Sequence, residues 1–141
     1  MDRKILLDTN LIISAFDTKS PEAREQLRIL LEDDQVAFAI SPLIRYEVLR
    51  GVGISETERH GELESVLNGF VEFDIGRDVA NLSSNLFRYV RSNHNKEESS
   101  FVDKRSFDIF HYATAKCNEL ELCSNDGDLG RLERIHKQME T

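Results

Sequence analysis

The sequence predicts an α/β fold organised around a parallel sheet. Short apolar runs alternate with helical patterns along the chain, which is typical of parallel strands joined by right-handed crossovers. The runs cover residues 5–7, 36–40, 70–75 and 121–124. The chain has 141 residues, 40% of them hydrophobic, so it can bury a core and is expected to form one domain over residues 1–141.

The first strand stops at an acid. After residues 5–7 the chain reaches Asp8, and apolar residues then resume with helical spacing at Leu11, Ile12 and Ala15. Asp8 is therefore expected at the carboxyl end of a strand, where open α/β sheets bind their ligands. The same position also suits an N-cap for the following helix, which is the alternative explanation.

Six further helices are predicted from their start and stop signals. Ser20-Pro21 and Ser41-Pro42 each place a capping hydroxyl before a proline, and Ser55 with Glu58 forms a capping box. The expected helices begin at residue 21 and end before 33–34, cover 43–50, 55–68, 78–91 and 106–118, and begin again at 129. Residues 92–104 are polar and predicted to be a loop.

Composition excludes several classes of protein. The net charge is −8, which argues against binding nucleic acid through bulk positive charge but is compatible with a metal-mediated contact or a basic protein partner. No apolar run approaches the roughly 18 residues that span a bilayer, and the N-terminus lacks a secretory pattern. Cys117 and Cys123 are too few for a disulfide framework, so we expect reduced thiols in a cytoplasmic protein with no membrane association.

Four acids occupy comparable positions. Asp8 and Asp126 follow strands, whereas Glu47 and Asp108 lie on helices that follow other strand regions. Carboxylates about 4 Å apart repel by ~1 kcal/mol in water and ~4 kcal/mol near a protein, so such a cluster raises its pKa values or takes up a cation. Oxygen ligands favour Mg²⁺ or Mn²⁺ over zinc. These ions activate water and stabilise phosphate oxygens in phosphodiester hydrolysis.

Each acid also has an ordinary structural explanation. Glu47 could pair with Arg50 one helical turn later, and Asp108 could be favoured by the dipole at a helix start. Asp126 and Asp128 could be turn residues. Their joint occurrence at sheet-edge positions favours an acidic site.

Four blocks of the sequence resemble the conserved blocks of the PIN domain. They are Ile-Leu-Leu-Asp-Thr-Asn (5–10), Leu-Ile-Arg-Tyr-Glu-Val-Leu-Arg-Gly (43–51), Asp-Ile-Phe-His-Tyr-Ala-Thr-Ala (108–115) and Ser-Asn-Asp-Gly-Asp-Leu (124–129). Length and block order are similar to VapC-type toxin ribonucleases of bacterial toxin–antitoxin modules. The resemblance implies a PIN-like three-layer α/β/α sandwich with a central, mostly parallel sheet.

The resemblance also implies roles for individual residues. The catalytic acids would be Asp8, Glu47, Asp108 and Asp126. The metal ligands would be Asp8, Asp108 and Asp126, with Asp128 as an auxiliary acid, and Thr9, Asn10 and Ser124 would be supporting polar residues. Ser124 stands where Thr is commoner and Leu129 where Phe is common, but neither departure removes a carboxylate.

Basic residues flank the acids, and one histidine lies beside them. The predicted contacts for RNA phosphates are Arg45, Arg50, Lys104 and Arg105, although surface cations of this kind are also commonly just solvated. His111 follows Asp108 by three residues and shares its helical face. We expect it to support the site or pack beside it, because a carboxylate pocket suits a hard ion better than imidazole does.

The leading hypothesis is a Mg²⁺- or Mn²⁺-dependent endoribonuclease, the toxin of a VapBC-type toxin–antitoxin system. The resemblance implies a homodimer neutralised by a small antitoxin, and transfer, ribosomal and messenger RNA all remain open as substrates. One alternative is an aspartyl-phosphate phosphatase with Asp8 as nucleophile, against which Asn10 stands where a second acid is expected. Another is a non-catalytic PIN-like module that binds RNA or protein through the same pocket.

Overall fold

The computed structural model describes residues 3–15, 22, 25, 28–29, 32–93, 100, 104–123 and 127–141. Its strands are β1 (Arg3–Leu7), β2 (Val36–Ile40), β3 (Val71–Glu72) and β4 (Glu121–Cys123). Its helices are α1 (Thr9–Ala15), α2 (Pro42–Arg50), α3 (Thr57–Asn68), α4 (Arg77–Asn93), α5 (Ser106–Cys117) and α6 (Asp128–Glu140). The predicted α/β fold is confirmed.

The four strands form one parallel sheet in the order β3-β2-β1-β4. β1 lies between β2 and β4, so that Ile5 pairs with Phe38 on one side and with Glu121 on the other. Ile5, Leu6 and Leu7 are all buried, as expected for a parallel strand covered on both faces. The sheet therefore aligns the carboxyl ends of β1 and β4.

The helices pack in two groups with the sheet between them. Helices α1, α2 and α3 pack in sequence against one another, and α4, α5 and α6 form the second group. The apolar side chains separate into a cluster centred on β1 and β2 and another centred on α4, α5 and α6, and Leu122 of β4 packs against both. This arrangement is the predicted three-layer α/β/α sandwich.

The third strand is shorter than predicted. Only Val71 and Glu72 pair with β2, and beyond them the Phe73 N–H still donates to the Ile40 carbonyl at 2.9 Å. β3 lies at an edge of the sheet and both of its residues are exposed. A strand at the edge of a sheet is paired on one side only, and such edge strands are commonly very short.

The predicted capping box at Ser55 and Glu58 is wrong. Helix α3 begins at Thr57, and its N-cap, Glu56, makes no side-chain capping hydrogen bond. Instead the Glu56 carboxylate accepts the Gly53 N–H at 3.1 Å. That contact closes the preceding turn, so Ser55 is left outside the helix.

Several predicted features lie wholly or largely outside the described residues. They are the helix expected from residue 21, most of the loop expected over 92–104, and the stretch with Ser124, Asn125 and Asp126. Within the described part of the chain, Cys117 and Cys123 are half-buried free thiols. None of the helices described there has the length and apolar character needed to cross a membrane.

Ser41 is predicted to stabilise the fold more than Ser55. Ser41 is fully buried, and its hydroxyl accepts the Ile44 N–H at 3.2 Å to cap α2. Ser41→Ala should therefore lower the free energy of unfolding by about 1 kcal/mol. The matched variant Ser55→Ala should change it by less than about 0.5 kcal/mol. Urea denaturation measures both, and equal losses would contradict the assignment of the cap.

Candidate active site

The carboxyl end of β1 places a buried acid at the edge of the sheet. Asp8 is 3% exposed and lies between the end of β1 and the start of α1. Its N–H donates to the Cys123 carbonyl at 3.0 Å, and its carbonyl accepts the Ile12 N–H at 3.2 Å. The first bond holds the end of β1 against the end of β4. The second is the first hydrogen bond of the helix, so α1 begins directly after Asp8.

Glu47 connects three helices through its carboxylate. From α1, the Thr9 hydroxyl donates to Oε1 at 2.9 Å, and from α5, His111 Nε2 hydrogen-bonds the same oxygen. Arg50, one turn along α2, places its guanidinium 3.8 Å from Oε2. Thr9 and His111 are buried, whereas the Glu47 side chain keeps 13% of its surface exposed.

These contacts keep Glu47 ionised. Burial alone would raise the pKa of Glu47, but the hydrogen bonds from His111 and Thr9, together with the Arg50 charge, hold it below its usual value. Because the acceptor is a carboxylate, Nε2 of His111 must carry the proton in this pair. Nδ1 of His111 is buried and has no hydrogen-bond partner among the described residues.

Asp108 lies with Glu47 in one cleft. Asp108 is half-buried in the first turn of α5. A cleft of ≈ 330 Å³ is lined by Glu47, Arg50, Lys104, Arg105, Ser106, Phe107 and Asp108. The structure thus brings two predicted acids together and joins Asp8 to them through its neighbour Thr9.

The remaining predicted site residues are placed as follows. Asp128, in the first turn of α6, bonds to the Arg105 guanidinium, so a predicted auxiliary acid is paired with a predicted phosphate contact. Asn10 is exposed on α1. Asp126 and Ser124 lie outside the described residues.

The predicted basic contacts separate into two groups. Arg50, Lys104 and Arg105 line the cleft. Arg45 instead bonds to Glu72 at 2.6 Å and to Asn68 at 3.0 Å, and these contacts tie α2 to β3 and the end of α3. The structure therefore does not bring Arg45 into the acidic cleft.

Two aromatic residues at the cleft were not anticipated from the sequence. Tyr46 and Phe107 contact each other edge to face, with ring centroids 6.3 Å apart. Each directly precedes an acid, Glu47 in one case and Asp108 in the other. An aromatic residue directly before a candidate acid, found on two helices, is the sequence pattern that could have indicated these two residues.

The donor chemistry fits a hard divalent cation. Asp8, Glu47 and Asp108 offer only carboxylate oxygens, which suit Mg²⁺ or Mn²⁺. Asp8 also affects its neighbour on β4. Burial raises the pKa of the Cys123 thiol, and the negative charge of the Asp8 carboxylate raises it further. Among the described residues no group of three or more His, Cys, Asp or Glu side chains is placed to hold a metal ion, and Asp126 is not among those residues.

The α/β fold and the sequence together identify the family of the chain. Residues 5–135 match the family model described as the PIN domain, and the chain belongs to the PIN domain family. Proteins of this family are nucleases. The predicted family is confirmed. No curated protein matches the chain.

Solved structures of toxins and toxin–antitoxin complexes share the fold. A toxin–antitoxin complex from Klebsiella pneumoniae is 25% identical over 87% of each chain, with a TM-score of 0.62. VapBC2 from Rickettsia felis, bound to a DNA fragment from its promoter, is 15% identical over 92% of each chain, with a TM-score of 0.65. VapC20 from Mycobacterium tuberculosis is 13% identical, covering 90% of this chain and 93% of that one, with a TM-score of 0.60. The predicted resemblance to VapC-type toxins is confirmed at the level of the fold.

Thr9→Val is expected to raise the pKa of Glu47. The substitution keeps the shape of Thr9 but removes a hydrogen bond that lowers this pKa. A depressed pKa stabilises the fold above the unfolded pKa, and that contribution is lost as pH falls through the folded pKa. In Thr9→Val the folded pKa lies closer to the unfolded one, so this acid loss should be smaller and complete at a higher pH, with stability at pH 7 reduced by about 1.5 kcal/mol.

Carboxyl NMR titration and urea denaturation between pH 3 and 7 measure both effects. Thr57→Val, at an exposed threonine that begins α3, is the matched control and should leave the Glu47 titration unchanged. An unaltered Glu47 titration in Thr9→Val would show that the Thr9 bond does not form in solution.

Proposed function

We propose that the chain is a single-domain, metal-dependent endoribonuclease and the toxin of a toxin–antitoxin module. One observation carries the proposal: Asp8 is buried at the carboxyl end of β1, and its neighbour Thr9 hydrogen-bonds Glu47, which lines a cleft together with Asp108. Membership of the PIN domain family and the likeness to toxin structures support it. We further propose that the toxin acts in the cytoplasm.

The proposed metal ligands are Asp8, Asp108 and Asp126, with Asp128 as an auxiliary acid. Mg²⁺ or Mn²⁺ held there would supply an activated water and neutralise charge on the phosphate. Asp8 is the best placed of these acids because it is already withdrawn from bulk water at 3% exposure. A buried carboxylate gains most from a nearby cation, since little solvent competes for it.

The chain's own groups position the reactants. Water attacks phosphorus in line with the leaving oxygen and loses a proton to solvent, the P–O bond to the leaving oxygen breaks and that oxygen takes up a proton from solvent, and no covalent bond to the protein forms. Glu47, held ionised by Thr9 and His111, orients the water or the metal rather than accepting a proton, because a low pKa makes a weak base. Asn10 and Ser124 are proposed as further polar support.

The proposed substrate contacts are the basic residues of the cleft. Arg50 and Lys104 line it beside Glu47 and Asp108, where they can neutralise phosphate charge. Arg105 already bonds to Asp128, so phosphate and Asp128 would compete for it. Transfer RNA is one candidate substrate. VapC20 is described as a toxin that cleaves the sarcin–ricin loop, so ribosomal RNA is another.

The proposed partners are a small antitoxin and a second copy of the chain. The similar structures include toxin–antitoxin complexes. A net charge of −8 would attract a basic antitoxin segment to the protein as a whole.

Asp8→Asn and Asp108→Asn are each expected to abolish metal-dependent RNA cleavage. Each change removes a carboxylate charge at the proposed ion site, and a loss of about 100-fold or more in kcat/KM is expected. The antitoxin-free protein should cleave RNA with Mg²⁺ or Mn²⁺ and not with EDTA. Gel analysis of end-labelled RNA measures the rates.

Asp74→Asn is the matched control, because Asp74 is an exposed acid that follows β3. It should cleave RNA at the wild-type rate. Cleavage that survives both EDTA and Asp8→Asn would defeat the proposed mechanism.

Arg50→Gln and Arg45→Gln should differ in their effect on RNA binding. Arg50 lines the cleft, so its loss should reduce the slope of log Kd against log salt by about 0.7 for single-stranded RNA. Arg45 is committed to Glu72 and Asn68, so its loss should cost up to about 1 kcal/mol of stability and leave the slope unchanged. Salt titrations in EDTA test this, and equal slopes for both variants would remove Arg50 from the phosphate contacts.

A further inference from the structure

Arg50 and Phe107 line the cleft, and Tyr46 contacts both of them at its rim. Tyr46 is 54% exposed and Phe107 36% exposed. The rings belong to different helices and meet edge to face at an interplanar angle of 82°. Among the described residues these are the two exposed aromatic side chains, and they lie side by side. We call the three residues the rim cluster.

The guanidinium of Arg50 completes the cluster. Its Cζ lies 5.4 Å from the Tyr46 centroid and 5.5 Å from the Phe107 centroid, within the range of cation–π attraction. The same guanidinium is 3.8 Å from Glu47 Oε2. Arg50 is thus drawn to both rings and to the acidic site, and it links the aromatic surface to the catalytic carboxylates.

We propose that the rim cluster stacks an unpaired base of a single-stranded RNA and so delivers the adjoining phosphate to the cleft. This inference rests on the proposed ribonuclease function. Aromatic faces and planar guanidinium groups stack on any base, which requires a base that is not enclosed in a duplex.

Charge at the cleft favours this occupant over a protein. Among the described residues the lining has three basic side chains, one of them (Arg105) paired with Asp128, against two acidic ones, whereas the whole chain carries −8. The cleft thus lacks the excess of negative charge that the chain as a whole carries, which favours the approach of a phosphate. The apolar part of the rim is limited to two rings beside these charged groups, which suits a flat base better than the continuous apolar face of a partner helix.

A binding experiment without cleavage tests the inference. The probe is a short oligoribonucleotide carrying one 2-aminopurine, used single-stranded and annealed to its complement, in EDTA. The wild-type protein should bind the single strand more tightly than the duplex and quench the 2-aminopurine fluorescence. The double variant Tyr46→Leu/Phe107→Leu keeps apolar bulk but loses both aromatic faces. It should bind the single strand about tenfold more weakly, lose the quench and bind the duplex unchanged.

Two controls accompany the double variant. Tyr46→Phe retains the ring and should behave as the wild type. Phe87→Leu removes an aromatic ring that lies under Arg91 on α4, at 5.7 Å, outside the cleft lining, and should also behave as the wild type. Circular dichroism checks folding. If the double variant is unfolded, the single variant Tyr46→Leu, at the more exposed ring, should still weaken binding and reduce the quench.

The outcomes separate this inference from the proposed function. Quenching that depends on Tyr46 and Phe107, in a protein that cleaves no RNA with Mg²⁺, would support the stacking site while the nuclease proposal fails. Cleavage with the wild-type KM, affinity and quench in the double variant would overturn the stacking site and leave the nuclease proposal intact. Loss of self-association or of binding to a protein partner, with RNA binding unchanged, would also overturn it and identify the rim as a protein interface.

Discussion

The carboxylate of Glu47 accepts a hydrogen bond from Thr9 of α1 and another from His111 of α5, while it belongs to α2 itself. An ionised group that is largely withdrawn from water requires such donors, and losing one of them is costly. Asp8 directly precedes Thr9, and Asp108 lies one helical turn before His111. The relative placement of all three acids therefore depends on this one shared contact.

Local signals predict the central elements well. The second strand was predicted over residues 36–40 and is observed over Val36–Ile40, and the helix after it starts with the cap that Ser41 predicts. The predictions fail where a contact outside the local sequence pattern determines where a helix begins or a strand ends. The Glu56 carboxylate turns back to Gly53, and β3 ends early because the edge of the sheet gives it one partner.

The candidate site was predictable in residue identity more than in arrangement. Asp8 and Thr9 follow from the strand–helix boundary, but no local spacing shows that Thr9 contacts Glu47. Arg45 and Arg50 looked equivalent, yet five positions on a helix rotate a side chain by about 500°, which leaves the two about 140° apart. Arg45 consequently hydrogen-bonds Glu72, whereas Arg50 lines the cleft.

The rim residues show a further limit of sequence patterns. An aromatic residue on a helix is ordinarily assigned to the core, and nothing in the spacing of Tyr46 or Phe107 shows that their faces are solvent-exposed. Exposure follows from how α2 and α5 cross, which is set by contacts distant in sequence. Such crossings become visible only when both helices are in place.

The position of β1 in the sheet determines when the acidic edge can form during translation. β1 pairs with β2 and also with β4, whose residues lie more than 110 positions later in the chain. Synthesis proceeds at about 5–20 residues per second. Asp8 is therefore made several seconds before Cys123, whose carbonyl accepts the hydrogen bond from the Asp8 N–H. The acidic edge is thus completed late in translation, and a nascent chain that ends before residue 121 lacks it.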